Sequence, residues 1–211
     1  MFRTEQTRPD GNERRLIVSY DMTHSIDPTT LTYSGLKEAY AFFNARLFSG
    51  RLPSCLITMQ RRNRTYGYFA GRRFTTRDGV EVTDEIALNP SRFAECSTEE
   101  TLATLVREMV HLEQEHFGTP SRPGYHNRKW AERMGAVGLI PTATGEPGGK
   151  QTGQRVGHSS SRADPSRWPV PSWLRTAVSR CPTSNCGTRP SAKRGTRGRR
   201  VRPSTPVRDV E

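Results

Sequence analysis

The stretch from Ser97 to Pro120, STEETLATLVREMVHLEQEHFGTP, carries the strongest local signal in the chain. Ser97 or Thr98 is placed to cap a helix, and Glu99 and Glu100 suit its positive N-terminal end. Leu102, Leu105, Val106, Met109, Val110 and Leu112 recur at helical spacing and form a broad apolar face. Gly118 and Pro120 end it. Within this helix Glu108 and His111 form a Glu-x-x-His pair. Two histidines four apart on a helix face can bind one Zn²⁺, with an intervening glutamate as base for the metal-bound water. Here the position of the first histidine is Arg107.

The chain on either side organises around that helix. Downstream, Gly124-Tyr125-His126-Asn127 brings a third candidate ligand, His126, to the start of another helix over about 127–136, with Trp130, Ala131 and Met134 inward. Upstream, Leu36, Ala39, Tyr40, Phe43, Leu47 and Phe48 mark an amphipathic helix from Tyr33, closed by Gly50 and Pro53. Leu56–Met59 and Gly67–Ala70 read as short strands joined in a hairpin across Arg61–Arg64, and Glu85–Leu88 reads as a third strand. Arg61, Arg62 and Arg64 beside Tyr66, Tyr68 and Phe69 suit either a basic, aromatic nucleic-acid surface or a charged turn beside core aromatics.

The 211 residues suffice for one ordinary domain with tails. Residues 1–150 carry 20 Lys/Arg and 18 Asp/Glu, whereas 151–211 carry 13 and 3. The net charge of +12 therefore sits mostly in the last segment, which suits polyanions such as DNA. No apolar run is long enough to span a membrane, and the start lacks a signal-peptide core, so a soluble cytoplasmic protein is expected. Cys55, Cys96, Cys181 and Cys186 are too scattered for a disulfide scaffold. The four-residue gap between Cys181 and Cys186 argues against a zinc ribbon.

Several segments, in order, resemble the SprT-like family of zinc metallopeptidases, found in bacterial SprT and the Spartan DNA-repair proteases. They are Phe43–Phe48 through Arg51-Leu52-Pro53, Gly67-Tyr68-Phe69, Glu85–Pro90, Thr101–Gln114, Gly124–Ala131, Gly138-Leu139 through Thr144-Gly145, and Gly148-Gly149. The resemblance implies an α+β, zincin-like domain over 31–157, helices packed on a small sheet. A flexible arm over 1–30 precedes it and a basic, disordered tail over 158–211 follows. It also implies Zn²⁺ as cofactor, Glu108 as general base, His111 and His126 as metal ligands, and a DNA–protein crosslink repair activity.

Arg107 departs from the pattern. A guanidinium stays protonated and offers no lone pair, and it sets a positive charge where a dication would sit. Weak or absent zinc binding and an impaired peptidase are therefore expected. The alternative is an inactive relative that binds nucleic acid or protein. His116 lies about 140° around the helix from His111, and Glu113 and Glu115 are no better placed as substitutes. Arg107 could instead pair with Glu108 or a neighbouring carboxylate and close the pocket without metal. His24 and His158 read as solvated surface residues. The family's apolar pair, Gly-Gly-Phe and Cys-Pro-x-Cys are missing after His158, yet suitable codons would encode similar segments in another frame. Residues 158–211 are therefore expected to be a frameshifted remnant.

Overall fold

The computed structural model describes residues 27–146, 148–159, 170–181 and 183. Asp27 caps the first helix, α1 (Pro28–Leu47), by accepting the Thr30 amide at 2.8 Å, and Pro28 stands in its first turn, where a missing N–H costs nothing. The helix therefore begins about a turn before the Tyr33 expected from apolar spacing. That first turn is rich in threonine and carries no apolar rhythm. Leu36, Ala39 and Phe43 form its buried face.

Three strands follow: β1 (Leu56–Met59), β2 (Gly67–Thr75) and β3 (Val82–Leu88). Their order is β1-β3-β2, with β3 parallel to β1 and antiparallel to β2. The hairpin expected between β1 and β2 is thus corrected: β2 and β3 form it, around Asp78-Gly79. Gly79 takes a φ of +75° in that turn, a conformation a side chain would strain. Ile86 and Leu88 of β3 are fully buried, and a strand this apolar is more stable at the sheet centre than at an edge. One face of the sheet, with Ile57, Met59, Phe69, Ile86 and Leu88, packs on the helices.

After a short helix α2 (Pro90–Phe93), α3 (Thr98–Phe117) crosses that face. It opens with a capping box: Ser97 accepts the Glu100 amide while the Glu100 carboxylate accepts the Ser97 amide. Strand β2 lies close to α3 because Gly67 has no Cβ; one added there would meet Ala87 O at 2.8 Å and Thr104 Cγ2 at 2.9 Å. Helix α4 (Arg128–Ala136) is capped by Asn127, which accepts the Trp130 amide at 2.8 Å. Strands β4 (Ile140–Thr142) and β5 (Gly157–Ser159) then form a second, two-stranded antiparallel sheet. The fold is α+β.

The boundary placed at 157 is corrected. Gly157–Ser159 pairs with Ile140–Thr142, and α5 (Ser172–Ser179) packs on α1 and α3. Val170, Leu174, Val178 and Cys181 join the core. The apolar spacing of four between Leu174 and Val178 supplies this packing, inside a segment whose overall composition is polar and basic. The helices approach closely at Gly35, where an added Cβ would meet the Ala177 carbonyl oxygen at 2.9 Å. The first 26 residues, His24 and Cys186 lie outside the described residues. No helix among those described is long and apolar enough to cross a membrane.

Candidate functional site

Helix α3 brings Arg107, Glu108 and His111 to its inner side, and the turn before α4 brings His126 against them. His126 is held twice by Gly153. Their backbones exchange hydrogen bonds at 2.9 and 3.0 Å, and the His126 Nδ1–H donates to the Gly153 carbonyl at 3.0 Å. That bond selects the tautomer, leaving the lone pair on Nε2. The lone pair meets Arg107 Nη2 at 2.9 Å. The same Nη2 donates to the Val156 carbonyl at 3.3 Å, and Nη1 donates to Glu108 Oε1. One guanidinium therefore ties α3 to the turn before α4 and to the segment entering β5.

Trp130, fully buried, is the wall behind this cluster. Its ring is 4.1 Å from that of His126 and stacks at 5.3 Å on that of His111, with the Arg107 guanidinium 5.6 Å above it. The His111 and His126 rings are 5.1 Å apart. The three residues assigned as base and ligands, Glu108, His111 and His126, thus do converge in space. Sequence reading placed Trp130 in the core without foreseeing that both histidines lie on it. Gly153 and Val156 carried no side-chain signal at all.

Burial sets the electrostatics. Glu108 is 1% exposed, and desolvation pushes its carboxyl above the usual range, opposed by the Arg107 charge and by a bond from the Phe69 amide. Desolvation, reinforced by Arg107, pushes His126 down to about 4 and His111 well below an ordinary imidazole. Both rings are neutral at pH 7. His158, expected at the solvated surface, is corrected: it sits partly buried in β5 and is pushed down to about 4 by burial and by Arg107. A cavity of about 560 Å³ opens beside the cluster, lined among others by Arg64, Tyr66, Thr104, Arg107, His126 and His158.

The donor set does not fit the zinc that the motif suggests. A catalytic zinc takes three protein ligands plus water. Among the described residues no three His, Cys, Asp or Glu side chains gather as a ligating group. The His126 lone pair is directed at a cation, and Arg107 has none to give. Glu108, paired with that cation, is a tethered carboxylate and not a free base. The other nearby groups serve elsewhere. His116 bonds Asp84 Oδ2 at 2.6 Å, and Glu113 is buried between Arg51 and Arg133. Cys181 is packed in the core.

The fold and site together define an α+β domain around a buried Arg-Glu-His-His cluster. The chain is 54% identical over 59 residues to an uncharacterized protein in the mucB 3' region of Salmonella typhimurium, an alignment covering 28% of this chain and 80% of that protein. It belongs to the same family as that protein, whose name states no activity. No family model matches the chain, and no solved structure matches it.

Proposed function

We propose that the chain is a SprT-like domain of zinc-metallopeptidase lineage, zincin-like in fold, whose peptidase centre is not assembled, and that it works as a binding module. The convergence of Glu108, His111 and His126 on one side of α3 supports the lineage. The observation that carries the loss of catalysis is the Arg107 guanidinium, bonded at once to Glu108, His126 Nε2 and the Val156 carbonyl. It takes up the base and one imidazole lone pair, which leaves His111 as a single donor where a catalytic zinc takes three. Of the two pairings open to Arg107, with Glu108 or with a neighbouring carboxylate, this geometry has the first. The pocket nonetheless remains open to the cavity beside it.

Elemental analysis tests the reading. The purified protein should contain well under one zinc per chain, and Arg107→His should raise this toward one by restoring the missing lone pair. Stoichiometric zinc in the unaltered chain would reject the proposal. Peptide hydrolysis appearing in Arg107→His and disappearing in Arg107→His/Glu108→Gln, with zinc retained, would tie the lineage to the lost base.

A further inference from the structure

Three arginines, Arg64, Arg107 and Arg155, meet at the cavity of about 560 Å³ beside the cluster. Arg107 forms its inner side, at the position where the motif would place a metal ligand. Its guanidinium gives one N–H each to Glu108, His126 and Val156, and the second N–H on Nη1 has no partner among the described residues. The other two arginines stand on anchored backbone. Arg64 takes a φ of +61°, a left-handed conformation that costs a residue with a side chain. Asn89, buried just after β3, holds that turn: its Nδ2 donates to the Arg62 carbonyl at 2.7 Å and to the Thr65 carbonyl at 2.8 Å. Arg155 lies between Gly153, bridged to His126, and Val156, whose carbonyl accepts from Arg107. Neither the Arg64 nor the Arg155 side chain has a hydrogen bond or ion pair among the described residues.

Two carboxylates share the lining and limit what can bind. Glu95 pairs with Arg92 at 2.7 Å, and Glu100 accepts the Ser97 amide at 2.8 Å in the capping box of α3. Glu108 offsets Arg107, and Arg92 offsets Glu95. Among the described residues this leaves Arg64 and Arg155 against Glu100, a surplus of one positive charge. One carboxylate matches that surplus. A polyphosphate or a phosphodiester chain would bring further negative charge against Glu95 and Glu100 and is disfavoured. His126 and His158, both neutral, add hydrogen-bonding groups to the lining without adding charge.

We propose that this cavity binds the C-terminal carboxylate of a peptide, held by Arg64 and Arg155 and facing Arg107. The proposal rests on the reading of a peptidase centre without metal and names the ligand of that same site. The guanidinium that excludes zinc is itself a cation for a carboxylate to meet. Guanidiniums grip carboxylates through paired N–H donors, more strongly and more directionally than neutral groups do. A volume of about 560 Å³ falls within the roughly 300–1,000 Å³ of pockets that take drug-sized ligands. The residues preceding the terminus therefore fit as well, against Tyr66, Thr104 and Val156. A small free acid would leave most of the space unfilled.

Isothermal titration calorimetry on the full chain tests this with N-acetyl-trialanine, whose C-terminus is free. The same peptide as its C-terminal amide, sodium acetate and inorganic phosphate are the comparison ligands. The variant Arg64→Asn/Arg155→Ala removes both exposed cations. Asparagine suits the left-handed backbone at 64, and circular dichroism checks that the variant is folded. The free peptide should bind at least about tenfold more tightly than the amide, acetate or phosphate, as loss of a charge-assisted contact implies. The variant should weaken the free peptide by a similar factor and leave the amide unchanged. Equal affinity for acid and amide overturns the carboxylate. Acetate or phosphate binding as tightly as the peptide overturns the peptide terminus as ligand. Unaltered affinity in the variant, or no binding of the free peptide at millimolar concentration, overturns the site. Zinc content of the same preparation reads the underlying proposal separately. Stoichiometric zinc rejects that reading whatever the peptide does, whereas a zinc-free protein that ignores the peptide rejects the carboxylate site alone.

Discussion

Arg107 and Glu108 are neighbours in sequence and partners in space, and the pair is nearly sealed from water. Removing one member of a buried ion pair strands the other, which typically costs about 3–5 kcal/mol. Arg107→Met should therefore lower the free energy of unfolding by roughly that amount. Adding Glu108→Gln should recover much of the loss, because the stranded carboxylate is gone. Urea denaturation of the two single variants and the double variant measures the coupling directly; simple additivity would show that the pair is not one unit. Among the described residues, the buried nitrogens Arg107 Nε and Trp130 Nε1 have no hydrogen-bond partner, so the cluster is not fully satisfied in itself. Each unpaired donor costs on the order of 1–3 kcal/mol. At this scale the sequence was informative about identity. Glu-x-x-His and the later His126 named residues that meet, and Arg107 announced the departure. It could not give the bonds Arg107 makes, since the Val156 carbonyl and the tautomer imposed by Gly153 are backbone facts.

At the level of elements, local signals read well and pairings did not. Helices α3 and α4 follow from their caps and apolar faces, and β1 from its four apolar or β-branched residues. The partner of β1 was misjudged because nearness in sequence favoured β2, whereas burial of Ile86 and Leu88 selects β3 as the central strand. Helix α5 was missed for a different reason. Its eight residues bury only Leu174 and Val178 deeply, too few to register against the surrounding Arg, Ser, Pro and Gly. Those two side chains nevertheless complete a shared core with α1. Leu174→Ala should cost about 2–5 kcal/mol, the usual range for a buried leucine. Gly35→Val should also destabilise, by forcing α1 and α5 apart. Thermal unfolding of each checks this; a midpoint equal to that of the unaltered protein for Leu174→Ala would show α5 to be undocked in solution.

Across the whole molecule the neutral histidines link stability to pH. His126 and His158 titrate near 4 when folded, against 6.5 for a free imidazole. Between those values the unfolded chain binds protons that the folded chain refuses. Stability from these groups is therefore complete above about pH 6.5 and is lost as pH falls toward 4. The raised Glu108 carboxyl opposes part of this trend, because it favours proton uptake by the folded state. The unfolding temperature should be clearly lower at about pH 5 than at about pH 7. Equal midpoints would mean that the two rings are solvated. The same scale decides what the C-terminal segment is. Removing residues 170–211 deletes part of the core, whereas removing 184–211 leaves every described core residue in place. The first truncation should therefore lower the melting temperature far more than the second. Sequencing the coding DNA would settle the frameshift, which is rejected if the alternative frame contains early stops.

The close approach at Gly35 joins the first helix of the core to the last across most of the chain. A ribosome working at roughly 5–20 residues per second needs on the order of ten seconds to add the roughly 130 residues separating the end of α1 from Cys181. Throughout that interval the α1 face around Gly35 has been synthesised but lacks its final neighbour. Completion of the core is thus timed by translation and not by diffusion, and the nascent protein carries an unfinished seam until α5 has been made.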